Sequence, residues 1–546
     1  MNKKLIIAFS RIIAVVMLTS LVAACSKATT EQGKQAETQQ PSSQTSGAKI
    51  VDKPIKLTYW ADMNPNASSA VKDLSEVLLY KEMEKRTNIS IEFRHPPVGQ
   101  AKDQFGVLVA SRDLPDIIEG GWNLYPGDRK KAAEDGLIIK LNDLIEKNSP
   151  NLKQILDSNV DISRMVKSDD GIYYSFPALS MNKIRVYGGP ILRKDFLDEL
   201  GLQVPETIDE WENMLRQFKD KKGLKAPLSF MQTPNNNILS QTHVFVGAYG
   251  LTIGYCIDNG KIKYGPAEAN YKEFFKLMNK WYKEGLLDPD CIIHDQKSWE
   301  AKITTDKTGA FIGYIGGNLG NFLSAMKDKN PKFDLVAAQF PVLKKGDQPK
   351  FVPRDWEVSN YGYITITTAN KYPKETAKWV DYFYSQEGHI LKNFGVEGET
   401  FKMENGYPRY TELITKNPDK LSLAHALGKY TRANYPTVGN QDDRYLEQYY
   451  QYEQQKEAAK LWSKYADNAK KSLMPPGVTL TTEENNEFGK IMNDINIFKD
   501  EMYFKFITGT ESIDNFDKYI AQLKKMNIDR AIQIEQTAYD RYLSKK

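Results

Sequence analysis

The chain has 546 residues, too many for one small module and enough to bury more than one large core. Lysine and arginine exceed aspartate and glutamate by four, and Lys3, Lys4 and Arg11 supply three of those charges from an acid-free stretch of 24 residues. The remainder is nearly neutral, which argues against a dedicated nucleic-acid binder. Five histidines and three cysteines are too few for a disulfide framework or a multi-metal enzyme.

The chain opens with Lys3 and Lys4, and an apolar run follows from Ile12 to Val22. Small residues Ala23 and Ala24 come next, then Cys25. A basic start, a short apolar stretch and a small-residue cleavage site define a secretory signal, expected over 1–24. Arg11 interrupts the longer apolar run and argues against a spanning helix. The Val22-Ala23-Ala24-Cys25 ending resembles the bacterial lipobox, whose cysteine sulfur carries the lipid. Residues 25–53 are rich in Ser, Thr, Gln and Glu and hold no aromatic side chain. Such a segment cannot offset its ordering entropy by burial, so a lipidated disordered tether is expected there. At about 5–6 Å × √n it reaches roughly 30 Å. The expected location is therefore the extracellular face of the cell membrane, with the membrane contacted through lipid on Cys25.

A strand is expected over Ile55–Trp60, a helix over 68–86, a strand over 89–93, a helix over 104–111 and a strand over 116–119. This alternation marks an α/β unit with a mainly parallel sheet. Further helices are expected over 194–200, 208–218, 271–284 and 374–384, with Thr207 as an N-cap. A strand is expected over 361–367. The last quarter reads as helical, over 441–469 and 482–507.

Catalytic motifs are missing: no GxSxG, HExxH or complete GxxxxGK[ST] occurs. The Gly316-Gly317-Asn318-Leu319-Gly320 run lacks the Lys-Ser/Thr of a phosphate loop. No EF-hand pattern is present, and His95, His243, His294, His389 and His425 form no i, i+4 pair. Cys256 and Cys291 are not in a CxxC, and buried free thiols or a disulfide both remain open for them. No cofactor and no metal are expected.

Several blocks, in order, resemble extracellular solute-binding proteins of sugar ABC importers. They are Leu114-Pro115-Asp116-Ile117, Gly136-Leu137-Ile138 and Asp169-Asp170-Gly171-Ile172-Tyr173-Tyr174-Ser175-Phe176-Pro177. Arg193 to Leu202, Val204 to Trp211, Tyr282 to Asp290 and Lys307 to Phe311 continue the series. Asn393 to Thr400, followed by Asn405-Gly406-Tyr407-Pro408, is similar to the oligosaccharide-binding lipoproteins of Gram-positive bacteria. The resemblance implies an α/β, bilobal periplasmic-binding-protein fold of type II, with two lobes joined by a hinge and extra C-terminal helices. It implies lobe one over 54–181 and 334–400, and lobe two over 182–333 and 401–546. It further implies a monomeric binding protein, not an enzyme, that delivers an oligosaccharide to the membrane permease subunits of an ABC importer. A secreted polysaccharide-degrading lipoprotein and a peptide-binding lipoprotein are the alternatives.

Sugars present C–H faces to aromatic rings and hydroxyl edges to polar side chains. Open α/β sheets bind ligands at the carboxyl ends of their strands. Trp60 at the end of the first strand and Trp122 after the third are therefore candidate ligand-binding residues. Trp299, Tyr314, Trp356 and Glu397 are further candidates, the first three as stacking planes and Glu397 as a hydroxyl acceptor. Arg193 and Arg354 are candidates for a carboxylated sugar, because a guanidinium forks onto carboxylate. Trp211, Trp281 and Trp379 sit at helical spacing among apolar residues and are expected in the core.

Overall fold

Eight strands build two four-stranded sheets in the computed structural model, which describes residues 49–97, 99–231 and 238–545. They are β1 (Ile55–Trp60), β2 (Ile89–Arg94), β3 (Ile117–Glu119), β4 (Gly188–Arg193), β5 (Ala226–Ser229), β6 (Thr308–Tyr314), β7 (Leu335–Ala337) and β8 (Ile364–Ile366). The expected signal, Cys25 and most of the expected tether lie outside the described residues. The folded body starts slightly earlier than expected. Ile50 and Val51 already pack on the first lobe's core, and the Asn88 amide donates to the carbonyls of Val51 and Asp52.

The first sheet runs β8-β3-β1-β2. Strand β1 is parallel to both neighbours, pairing Tyr59 with Phe93 and with Ile117, and β8 closes the edge antiparallel to β3. Leu57, Tyr59, Ile117, Ile364, Ile366 and Trp379 share its main core. The second sheet runs β7-β4-β6-β5. Its core holds Trp211, Phe245, Trp281 and Phe311, whose rings meet edge to face at 5–6 Å in pairs such as Trp211–Phe245 at 5.2 Å. These two α/β lobes are the expected type II fold.

Local chemistry explains the element ends. The helix Ile208–Lys222 begins with a capping box: Thr207 Oγ1 accepts from the Glu210 amide, and the Glu210 carboxylate accepts from the Thr207 amide. Its buried stripe is Ile208, Trp211, Met214, Leu215 and Phe218, and Gly223 in the left-handed region stops it. The single helix expected over 68–86 is broken. Asn64 caps a first turn at Pro65–Ser68, and the Asp73 carboxylate then caps a new 3₁₀ turn at Leu74–Glu76 before the helix Leu78–Thr87. Two short polar side chains satisfy local N–H groups better than a continuous helix would.

Three of the segments along which the chain passes between the lobes lie side by side. Strand Ala178–Ser180 pairs in parallel with Gly439–Gln441, and Leu179 bridges to Val358. The Ser180 amide donates to the Glu357 carbonyl, and the Ser359 amide to that of Ala178. Strand β7 belongs to the second sheet, so the return to the first lobe falls near Asp355–Ser359 rather than at 334. A strand that completes an antiparallel edge must stay with its sheet.

The C-terminal segment also divides differently from the expectation. The helix Leu423–Tyr430 packs on Pro65–Ser68 of the first lobe. The long helix Thr482–Thr508 packs against Tyr271–Lys283 of the second, with Phe275 and Phe506 5.0 Å apart. Its partner Ile528–Ser544 starts in the second core at Ile528 and Ala531 and ends with Tyr542 in the first. There Arg541 and Lys545 both pair with Asp169, at 2.9 and 2.8 Å. No helix among the described residues is long and apolar enough to cross a membrane.

Candidate functional site

Two neighbouring cavities flank the segment Val358–Tyr361, where the return crossover enters the first lobe. The larger, about 440 Å³, is lined by Asn123, Arg129, Lys167, Ser175, Tyr363 and Thr479 among others. The smaller, about 270 Å³, is lined by Ser180, Arg354, Asp355, Trp356, Lys392 and Tyr435 among others. Both sit where open α/β sheets place their ligands: Asn123 lies just past β3, and Tyr363 just before the antiparallel β8.

Aromatic planes border both cavities. Trp356 is partly buried and lies over the Arg354 guanidinium, 4.9 Å from ring centroid to carbon. Tyr361 is 69% exposed between the two cavities. Tyr363 is buried, with the Arg129 guanidinium 4.5 Å over its ring. Gly362 separates the two tyrosines at φ 70°, and a Cβ there would collide with the Pro436 carbonyl. That close approach brings Tyr435, Pro436 and Thr437 against the same site.

Polar atoms are left over here. Buried side-chain groups are almost always hydrogen-bonded, so exceptions at a cavity wall are available to a ligand. Asp128 Oδ1 and the Nε and Nη1 groups of the buried Arg354 are without a hydrogen-bond partner. Arg354 spends one N–H on Glu357 at 3.1 Å, a carboxylate that Arg185 and Lys470 also face at 3.6 and 3.5 Å. The Asp355 carboxyl stands in the crowded cleft, and desolvation raises it to about 6 against the pull of Arg185 and Arg354. Lys392 is buried, donating to the carbonyls of Thr437 and Gly439 at 3.1 Å each. Desolvation, reinforced by Arg432, lowers its ammonium to about 7. Arg432 itself is held by Glu119 at 2.7 Å and the Tyr80 hydroxyl at 2.9 Å.

Of the residues singled out from the sequence, Arg354 and Trp356 line the smaller cavity. The others do not meet there. Trp122 is fully buried, and its indole N–H donates to Thr365 Oγ1 at 2.7 Å. Trp60 is 6% exposed against Phe105, in the same small core. Trp299 is fully buried between Phe311 and Phe322. Arg193 is fully buried, paired with Asp195 and Asp306 and covered by Phe196 and Phe333. None of these four keeps a face for a ligand. Glu397 is exposed in a surface loop, where it accepts from the Met403 amide. Tyr314 is 44% exposed at the end of β6 and lines neither cavity. Trp211, Trp281 and Trp379 are fully buried core residues, as expected.

Sequence reasoning missed Asp355, Tyr361, Tyr363, Arg129, Lys392 and Tyr435. The Tyr361-Gly362-Tyr363 run carried a usable signal, because aromatics around a glycine precede an apolar strand. Lys392 and Tyr435 carried none. Cys256 and Cys291 are buried free thiols. Among the described residues, no group of three or more His, Cys, Asp or Glu side chains is disposed to hold a metal ion.

Two α/β lobes, crossover segments lying side by side and a polar, aromatic-lined cleft at their junction define a two-lobed ligand-binding protein. The family profile described as bacterial extracellular solute-binding protein matches residues 66–390, more than half of the chain, and the chain belongs to that family. It is 26% identical over 517 residues to the fructooligosaccharide ABC transporter substrate-binding protein FusA of Streptococcus pneumoniae serotype 4, covering 89% of this chain and 90% of that one. It is 24% identical over 374 residues to the lipoprotein LipO of Bacillus subtilis, covering 64% of this chain and 69% of that one. The crystal structure of the alginate-binding protein AlgQ2 superimposes with a TM-score of 0.73 at 26% identity, covering 90% of this chain and 99% of that one.

Proposed function

We propose that this protein captures an oligosaccharide at the lobe junction and delivers it to the permease subunits of an ABC importer. The observation that carries this reading is the platform of Trp356, backed by Arg354, whose Nε and Nη1 groups have no hydrogen-bond partner, at the wall of the smaller cavity. A ring plane with hydrogen-bonding groups at its rim matches a pyranose, which is apolar on its faces and polar at its edges. The similarity to FusA supports the same substrate class and the same transport partner. The protein acts as a monomer, and a ligand that touches both lobes favours their closed arrangement.

Cys25 carries the lipid that anchors the mature protein at the outer face of the cell membrane, once residues 1–24 are removed. Its place after Ala23-Ala24 supports this, as does the similarity to a lipoprotein. Cys25→Ser should abolish metabolic lipid labelling; unchanged labelling would reject the anchor. The transport reading is tested by calorimetric titration of the detergent-solubilised protein with a panel of neutral and acidic oligosaccharides, alongside a peptide panel. Saccharide binding without product release supports it. Cleavage of the saccharide, or binding of peptides alone, would reject it.

A further inference from the structure

Two tyrosines flank Gly362 and end up in opposite places. Tyr363 is 4% exposed under the Arg129 guanidinium, and Tyr361 is 69% exposed. Residues two apart in an extended strand point to the same face, so a regular lead-in to β8 would bury both. Gly362 at φ 70° breaks that alternation and turns Tyr361 outward. The turn that carries it is held on both sides. The Tyr361 amide donates to Ser359 Oγ at 3.0 Å, and the Ser359 amide to the Ala178 carbonyl at 2.9 Å. On the far side the Gly120 amide donates to the Tyr363 carbonyl at 2.9 Å. The outward ring is therefore a fixed feature of the wall.

Tyr361 and its neighbours Val358, Ser359 and Asn360 line both cavities, so this turn is the crest between them. At about 440 and 270 Å³ the two together match pockets that bury a drug-sized ligand, larger than one hexose. The smaller offers the Trp356 ring and the unpartnered Nε and Nη1 of Arg354. The larger offers the carboxamides of Asn123, Asn360 and Asn485, each a donor and an acceptor, and Asp128 Oδ1, which has no hydrogen-bond partner. Its cations are engaged: Arg129 with Asp128 at 3.2 Å, Lys130 with Asp170 at 3.6 Å, and Lys167 over the Tyr173 ring at 5.3 Å. Both compartments thus suit uncharged hydroxyls.

We propose that the ligand is a neutral oligosaccharide of at least three sugar units, one in each cavity and one laid over the Tyr361 ring between them. This inference rests on the importer reading and sets the shortest chain it accepts. A phenol ring and a pyranose are of similar breadth, so crossing the crest takes one unit. A disaccharide reaches the crest from one side only and leaves the other compartment to water. Tyr361 is then the residue that makes affinity depend on length.

The test is calorimetric titration of the full-length protein in detergent with length ladders of one to five units. Fructo-, galacto-, malto- and xylo-oligosaccharides are the neutral probes, and oligogalacturonates the acidic one. In the neutral ladder that binds, the step from two units to three should tighten binding about tenfold or more, because an aromatic face and a second compartment are filled together. A fifth unit should add less than about threefold. Tyr361→Ala should shrink the two-to-three step to under about threefold, and Tyr361→Phe should keep it, with the melting temperatures of the free variants little changed. Equal binding of two- and three-unit probes, or an unchanged step in Tyr361→Ala, overturns this inference and leaves the importer reading intact. Binding confined to the oligogalacturonates does the same. Binding of no saccharide overturns both. The ladder on the unmodified protein decides the minimum length even if a variant folds poorly.

Discussion

The Arg354 guanidinium lies 4.9 Å from the centroid of the Trp356 ring and is itself buried. The cation covers one face of the indole, and both side chains line the smaller cavity. A platform held in this way loses little side-chain freedom when a sugar stacks on it. Covering some tens of Å² of ring at about 25 cal/mol per Å² contributes on the order of 1–2 kcal/mol. Trp356→Ala should therefore weaken oligosaccharide binding by roughly ten- to thirtyfold. Trp356→Phe should recover much of that loss. Paired titrations and thermal melts check it: binding should change while the melting temperature of the free protein moves little.

Asp355 supplies a pH dependence of binding. Asp355 is exposed at the cleft rim, and desolvation by the surrounding walls raises its carboxyl to about 6, with Arg185 and Arg354 pulling the other way. Ionised, it accepts sugar hydroxyls; protonated, it loses acceptor capacity. Affinity for a neutral oligosaccharide should climb as pH rises through about 6. Asp355→Asn should flatten that profile. Titrations between pH 5 and pH 8, at constant ionic strength, make the comparison.

Lys392 makes stability depend on pH. Its folded ammonium titrates near 7, below the ordinary value of 10.5, because burial and Arg432 disfavour the charge. Between those two values the unfolded chain binds more protons than the folded one, so stability should rise with pH across the window. The slope approaches about 1.4 kcal/mol per pH unit where the difference is one proton. Lys392→Met should remove the slope. Denaturant melts from pH 7 to pH 10, on both proteins, measure it.

Trp122 and Trp299 should behave as core residues. Each is fully buried, so truncation to alanine should cost about 3–5 kcal/mol of stability. The fraction that folds should still bind saccharide with unchanged affinity. Combined melts and titrations separate this from loss of a stacking plane, which would weaken binding and spare the fold.

Strand Ile55–Trp60 and the helix after Thr207 were legible because their determinants are local: an alternation, an N-cap oxygen, a glycine stop. The position of Trp122 just past a strand was legible for the same reason. Its direction was not. Gly121 turns the chain at φ 82°, with a virtual Cβ only 2.6 Å from the Phe105 ring, and sends the indole back under the sheet. Its partner Thr365 lies 243 residues away, a separation no local pattern reports. Trp356 and Arg354 were recoverable because they sit together in a polar run next to a strand. Lys392 and Tyr435 reach the cavity from distant segments, Lys392 through bonds to the Thr437 and Gly439 carbonyls, beside the buried Arg432–Glu119 pair.

The clasp of Asp169 by Arg541 and Lys545 joins positions more than 370 residues apart. Long-range closure of this kind slows folding, since loop entropy is lost before any contact rewards it. A ribosome delivers Asp169 well before its two cations, so the first lobe waits for the end of the second before its last ion pairs form. The ends of the helices Thr482–Thr508 and Ile528–Ser544 would then dock as a late seal, fastening one lobe with the final turns of a helix rooted in the other.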